Sequence, residues 1–410
     1  MCEVSEPSAR VIAFKVRHGG KKRVSTFRAH DAGNTTRQSE LNSAKLPIGP
    51  QLGHEGVDMS GQQEAPSLKD VLVGVADAFA GASTVACIIA GHRAGFYSAM
   101  AHGNPMTSTE LANAAATNER MTREWLDQQA AAQLVTYDES ADSYALPGAV
   151  AAVLADPNSP FWLAGGLVAV QALFLDLDRG IDAMKGDGAF GWGEHHPYLF
   201  EGTQEIFRPA YDHQLVQHWL PQRSQGTADL EAGITVADMG CGTGYSTLTL
   251  ARAFPNSTFI GFDLHQPSID QARQHAAEAE LTNVSFELAA ADAISGPFDL
   301  ICFFDCLHDM GDPVGIARHA INQLSTDGSI VVVEPFAMPS RTENHYLRAT
   351  PRYAMSLFCC VPCSLAQPGA RGMGNQAGEA GMRSVFAEAG LDNFTRIAET
   401  PNHIVYEARP

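Results

Sequence analysis

Three glycines spaced two apart, Gly240, Gly242 and Gly244, follow the apolar run Ile234-Thr-Val-Ala-Asp238 and precede a helical stretch, Tyr245 to Ala253. Glycine lets the backbone turn tightly and approach a ligand with no Cβ in the way, and the start of the next helix offers free N–H groups. Asp263 closes the following apolar strand, 19 residues after Gly244, where a carboxylate can accept hydrogen bonds from both hydroxyls of a ribose. The combination points to a nucleotide-like ligand. A dinucleotide fingerprint, G-x-G-x-x-G, needs its third glycine at position 245, which is Tyr245. Past a third strand, Asp292 is placed for an adenine amino group. Directly after a fourth apolar strand come Asp305-Cys-Leu-His308-Asp309. Ligands of a doubly wound sheet meet at the carboxyl ends of its strands, so His308 is the group able to take a proton from a second reactant.

The elements that must position these residues alternate in the α/β manner from Ile234 onward. Strands are expected near 234–239, 258–263, 284–288, 297–304 and 330–334, and a closing hairpin from Asn393 to Glu399 and His403 to Arg409. Upstream, residues 66–160 read as helices followed by two short strands around an Asp/Glu turn, a winged helix, with Thr107 and Glu110 at capping-box spacing. Residues 161–230 read as a helical linker and active-site cover, residues 231–410 as the catalytic domain, and residues 1–65 as a disordered extension or a targeting segment. That leaves the cytoplasm as the expected compartment, or an organelle if residues 1–65 act as a presequence.

Charge limits the partners. The net charge is −19, and residues 66–410 hold 18 Lys/Arg against 39 Asp/Glu, so phosphate backbones are repelled and nucleic acid is not expected. The presumptive recognition helix mixes Arg120 and Arg123 with Glu119, Glu124 and Asp127, which argues against a DNA reader. The longest strongly apolar run, Phe161 to Leu175, is 15 residues, short of the roughly 20 that span a bilayer, and no membrane association is expected. The eight cysteines fall mostly in apolar segments without disulfide-like spacing, which suits a reducing compartment.

Asp238-x-Gly240-x-Gly242-x-Gly244 resembles motif I of class I S-adenosylmethionine (SAM) methyltransferases, and Leu307-His308-Asp309 resembles the Leu-His-Asp-Trp segment of small-molecule O-methyltransferases, with Met310 where the plant-type motif has Trp. More specific is the order of Met121-Thr-Arg-Glu-Trp-Leu126, Glu201-Gly-Thr-Gln-Glu-Ile-Phe-Arg-Pro-Ala-Tyr211, Leu307-His-Asp-Met-Gly-Asp-Pro313, Leu357-Phe-Cys-Cys-Val-Pro-Cys363 and Gly374-Asn-Gln-Ala-Gly-Glu379. Over residues 66–410 this resembles a bacterial-type family of SAM-dependent methyltransferases with an N-terminal winged-helix domain. The resemblance implies a seven-stranded Rossmann-like sheet, SAM as cofactor, and a homodimer built through the helical N-terminal region. It implies a small-molecule acceptor held between that region and the sheet. His308 becomes the expected general base, oriented by Glu334 at the end of the fifth strand and flanked by Asp309. Asp238, Leu264, Ala293 and Phe304 join the glycines, Asp263 and Asp292 as expected cofactor contacts.

Other residues stay open between two roles. Phe207, Arg208 and Tyr211 lie one helical turn apart, so Tyr211 either faces the cofactor or packs in the core. His195 and His196 are adjacent, a spacing that rarely puts both on one metal, and they line a pocket or lie at the surface. In the insertion from Glu343 to Glu379, the expected substrate wall, Arg352 suits a carboxylate-bearing acceptor or sits at the surface. Tyr353, Ser356 and Gln376 are expected beside it. Cys359, Cys360 and Cys363 contain one C-x-x-C without a second ligand pair, so they read as small apolar packing and no metal is expected. Methyl transfer from a sulfonium is an in-line displacement needing alignment, desolvation and, for an O–H or N–H acceptor, proton removal. A thioether sulfur would need no base, and the winged helix leaves a SAM-responsive regulator as the reading from another class.

Overall fold

Side-chain caps set where the N-terminal helices begin. In this computed structural model, which describes residues 65–410, Ser67 and Asp70 exchange reciprocal bonds at the start of the helix Leu68–Arg93. Thr107 and Glu110 do the same at Ser108–Ala114, as their spacing predicts, and Asn118 caps Glu119–Ala131. Two short antiparallel strands follow, β1 (Thr136–Asp138) and β2 (Ser143–Ala145), forming the wing. Trp125 locks these parts together. Its indole donates to the Cys87 carbonyl at 2.8 Å and lies over Gly91, where a Cβ would meet the ring at 2.3 Å. The expected extension or presequence lies outside the described residues.

The apolar-run expectation needs correction. The helix Leu68–Arg93 has 26 residues and contains an 18-residue window of mean hydropathy 1.9, of which 11% is buried. It is long and apolar enough to cross a membrane by length and composition, and Leu72, Val75 and Phe79 are exposed on it. Lys69, Asp70 and Asp77 interrupt the apolar run in sequence without interrupting the helix. Phe161 to Leu175, by contrast, becomes helical only at Leu167, after Gly165 and Gly166.

The catalytic sheet has seven strands: β3 (Thr235–Met239), β4 (Thr258–Asp263), β5 (Val284–Leu288), β6 (Phe298–Phe304), β7 (Leu324–Pro335), β8 (Phe394–Glu399) and β9 (His403–Ala408), in the order β5-β4-β3-β6-β7-β9-β8. β3 to β7 run parallel, and β9 inserts antiparallel between β7 and β8. Strand β6 shows why its sequence is apolar throughout. Ile301 and Phe303 enter one core layer while Leu300, Cys302 and Phe304 enter the layer on the other face. The order reverses between β3 and β6, so a crevice opens there at the strands' carboxyl ends.

One helix closes over that crevice, with Phe200, Thr203, Gln204 and Phe207 on its wall. The helix Tyr198–Ala210 contains Pro209 and continues directly into a π-helical segment, Tyr211–Trp219. The wider turn suits a spacing of four, and Tyr211, Leu215 and Trp219 all point into the core layer under the sheet. Across from Tyr198–Ala210 runs Leu167–Leu175, and the two approach so closely that a Cβ on Gly202 would lie 2.2 Å from the Ala169 backbone nitrogen. Because that neighbour is backbone, it cannot rotate away. Gly202→Ala is therefore expected to lower stability by about 1–3 kcal/mol, read as a drop in the urea midpoint without a change in the slope of the transition.

Candidate active site

A cavity of about 830 Å³ fills the crevice. Its floor is the glycine turn, where Gly240 sits at φ +67° and a Cβ would meet the Cys306 side chain at 2.9 Å. Gly244, at φ +81°, begins the helix Tyr245–Ala253. Gly240, Gly242, Asp263, Leu264, Asp292, Phe304 and Tyr211 all lie on the wall, so most of the expected cofactor contacts come together. Gly244 and Ala293 do not line it.

Asp263 holds the turn in shape. One carboxylate oxygen accepts from the Gly242 amide and the other from the His265 amide, each at 2.8 Å. Burial raises its pKa, while those amide bonds oppose the rise. Each oxygen keeps a second lone pair for a ligand hydroxyl.

Asp238 does something different from the expected cofactor contact. It is buried behind the cavity wall, and one oxygen accepts from Ser246 at 2.7 Å and from Thr247 at 2.6 Å. These bonds tie the end of β3 to the first turn of the next helix. Burial pushes its carboxyl up to about 6 against the lowering effect of the two hydroxyls. Ser246 and Thr247 were not singled out from sequence, although hydroxyls just after a glycine turn are the available signal.

At the end of β6, three ionisable groups line up inward from the cavity. Asp309 is on the wall, His308 is 3% exposed behind it, and Glu334 at the end of β7 lies behind His308. His308 Nδ1 is 2.5 Å from Glu334 Oε2. His308 Nε2 lies 3.2 Å from Asp309 Oδ1, close enough for electrostatic pairing but not aligned for a hydrogen bond. Burial alone would lower the imidazole pKa, but Glu334, then Asp309 and Cys360, outweigh it and hold the value well above the ordinary one. The Leu-His-Asp segment thus delivers a histidine clamped between two carboxylates.

Asp305 is a further site residue, passed over in sequence. It follows β6 in the left-handed region, φ +54°, uncommon without glycine, and it lies on the cavity wall. Neither carboxyl oxygen has a hydrogen-bond partner among the described residues. Burial, reinforced by Glu334, raises its pKa strongly. The nearest cationic candidate, His403 on β9, is 3.6 Å away and is itself held down to about 3 by burial.

The cover reaches the turn through Gln204, which accepts from the Thr243 hydroxyl at 2.5 Å. Tyr211, four residues short of Leu215 in the π-helical segment, is buried with its ring 5.8 Å from Phe304. Burial raises its phenol pKa, so it remains a donor at neutral pH. It both packs and lines the cavity, uniting the two readings of its spacing.

The insertion lines this cavity through Cys363 and Gln367 to Gly369 rather than through the residues expected from sequence. Arg352 instead hydrogen-bonds Tyr346 and the β8–β9 turn at Pro401 and Asn402. Tyr353, Ser356 and Gln376 border a separate hollow of about 330 Å³. His195 is buried, with Nδ1 3.0 Å from Asp176 and Nε2 3.6 Å from the Cys363 sulfur, so it backs the wall rather than facing the cavity.

Comparison with known proteins agrees with this architecture. The description "Methyltransferase domain" matches residues 230–380, and "Rv2258c-like winged HTH domain" matches residues 82–156. The chain is 27% identical over 127 residues to the mitochondrial ubiquinone biosynthesis O-methyltransferase of Saccharomyces cerevisiae, covering 30% of this chain and 41% of that protein. It is 26% identical over 172 residues to 27-O-demethylrifamycin SV methyltransferase of Amycolatopsis mediterranei, covering 40% and 60%. The chain thus spans about half the length of the curated relatives it matches. In fold it is similar to an O-methyltransferase family protein from Burkholderia thailandensis, TM-score 0.61 at 15% identity over 84% of this chain and 98% of that one. It is also similar to human N-acetylserotonin methyltransferase solved with SAM, TM-score 0.58 at 17% identity over 85% and 99%. The chain thus carries a methyltransferase domain on a seven-stranded sheet, with an Rv2258c-like winged-helix domain before it.

Proposed function

We propose that the protein transfers the methyl group of SAM to an oxygen of a small-molecule acceptor, using the Asp309–His308–Glu334 line to remove the acceptor's proton. The observation that carries this reading is the clamped His308, 2.5 Å from Glu334 and 3.2 Å from Asp309 on the cavity wall. Curated relatives bearing O-methyltransferase names support oxygen as the target. Asp263 would take the ribose hydroxyls, Asp292 the adenine amino group, and the glycine turn the close approach of the amino-acid portion. Asp305, Tyr211 and Phe304 would surround the reacting end. When bound, SAM supplies an activated methyl on a sulfonium, and the chain's own task is alignment in a cavity sheltered by the cover.

Incubating metabolite extracts with methyl-labelled SAM and identifying the labelled product by mass spectrometry tests the reading directly. His308→Ala is expected to cut kcat by about 10²-fold or more while leaving the SAM dissociation constant nearly unchanged by calorimetry. Full turnover in that variant would favour an acceptor with no proton to lose, such as a thioether.

Protonation gives a second test. His308 acts as a base only after losing the proton that Glu334 and Asp309 hold on it, with Asp305, Cys306 and Cys360 as the other titratable groups around it. The acidic limb of kcat/KM is therefore expected above the ordinary histidine range. Glu334→Gln removes the larger raising charge, so that limb should move to lower pH; an unmoved limb would remove His308 from the proton path.

The homodimer belongs to this reading as well. The exposed apolar face with Leu72, Val75 and Phe79 is supported as its contact surface by the small share of the helix that is buried. On the winged-helix side, Arg120 pairs with Glu124 and Arg123 with Glu119, which leaves little positive field for DNA. Phe79→Asp is expected to shift sedimentation from dimer to monomer; flotation of the unaltered protein with vesicles would assign the helix to a membrane instead.

A further inference from the structure

His195, Cys359 and Cys363 converge outside the proton path just described. Cys359 lies in a π-helical turn, Ser356–Cys360, and Cys363 lies in the helix Val361–Leu365 that follows. A separation of four residues brings their sulfurs to one helix face. His195 approaches from the cover, and the three donor atoms all lie within 4.8 Å of one another with all three residues buried. Neither cysteine is in a disulfide. The ligand-like pair is thus C-x-x-x-C, whereas the C-x-x-C visible in sequence pairs Cys360 with Cys363.

Asp176 fixes the imidazole. One of its oxygens lies 3.0 Å from His195 Nδ1 and also accepts from the His196 amide at 3.0 Å. Donation from Nδ1 leaves the Nε2 lone pair aimed at the sulfurs, the carboxylate–histidine arrangement that supports metal ligands. The spacing fits as well. A tetrahedral ion with Zn–S of about 2.3 Å and Zn–N of about 2.0–2.1 Å places sulfur and nitrogen about 3.6 Å apart. His195 Nε2 and Cys363 Sγ are 3.6 Å apart.

We propose that His195, Cys359 and Cys363 bind one Zn²⁺ ion, with Asp176 orienting His195, so that the ion fastens the cover to the substrate wall. Binding displaces two thiol protons to solvent, and the two thiolates balance the charge of the ion. Three protein ligands leave one tetrahedral position open. Cys363 lies on the wall of the large cavity, so water from the site could reach the ion.

The test uses the full chain, stripped with a chelator and then given Zn²⁺ or Co²⁺ alone. Close to one zinc per chain is expected after desalting, with two sulfur ligands at about 2.3 Å in zinc X-ray absorption. Cobalt should give a near-ultraviolet thiolate-to-metal band. Cys359→Ser and Cys363→Ser are each expected to abolish that band, and Asp176→Asn to weaken zinc binding by about 10- to 100-fold. If the unaltered protein retains no zinc, or if its bound zinc shows no sulfur ligands, the proposal is overturned. That second reading needs no variant to fold. Equal zinc retention in either serine variant, with the native circular dichroism spectrum kept, would overturn it as well.

Discussion

Negative charge collected at one end of the sheet is the constraint around which the site is built. Asp238 on β3, Asp263 on β4, Asp305 after β6, Asp309 beside it and Glu334 on β7 are all wholly or largely withdrawn from solvent. His308 is the one basic side chain within hydrogen-bonding reach of any of them among the described residues. Burying carboxylates without cations is costly, and burial raises the pKa values of Asp238, Asp263 and Asp305 accordingly. In the proposed reaction a sulfonium ligand would supply the missing positive charge. Methyl transfer would remove that charge, so the spent cofactor, a neutral thioether, would be less strongly attracted than the donor.

Local chemistry made much of this legible in the sequence. The glycine turn, Asp263 and the alternation of strands follow from short-range rules, because tight turns need glycine and buried parallel strands need apolar residues on both faces. The helix Tyr245–Ala253 and the strand Val284–Leu288 coincide with the expected segments. The Thr107 capping box is likewise a three-residue interaction that its sequence determines. His308 and Glu334 were paired through the family resemblance, and the 2.5 Å contact between them gives that pairing a physical basis.

Features set by distant packing were not legible. Arg352 bears the right charge for a carboxylate, but only the folded chain brings Pro401 and Asn402 within reach of its guanidinium. Cys359 and Cys363 are separated from His195 by more than 160 residues in sequence, so their meeting depends on how the cover lies against the insertion. Asp238 matches a cofactor motif, yet its carboxylate turns inward to two hydroxyls. That Leu68–Arg93 is helical is legible, but the length of its apolar run is not, because three charges near its beginning interrupt it and its exposure depends on tertiary packing.

Strand β9 joins these themes through its place in the sheet. All six of its residues are buried between β7 and β8, and His403 at its start lies beside Asp305. Ribosomes deliver the chain from its N-terminus, so β7 emerges long before the strand that covers its edge. Until residues 394–408 follow, Ile330 to Val333 form an apolar edge with unpaired backbone groups, the kind of template on which nascent chains associate. The apolar edge of β7 is therefore open in the interval between synthesis of β7 and arrival of β9.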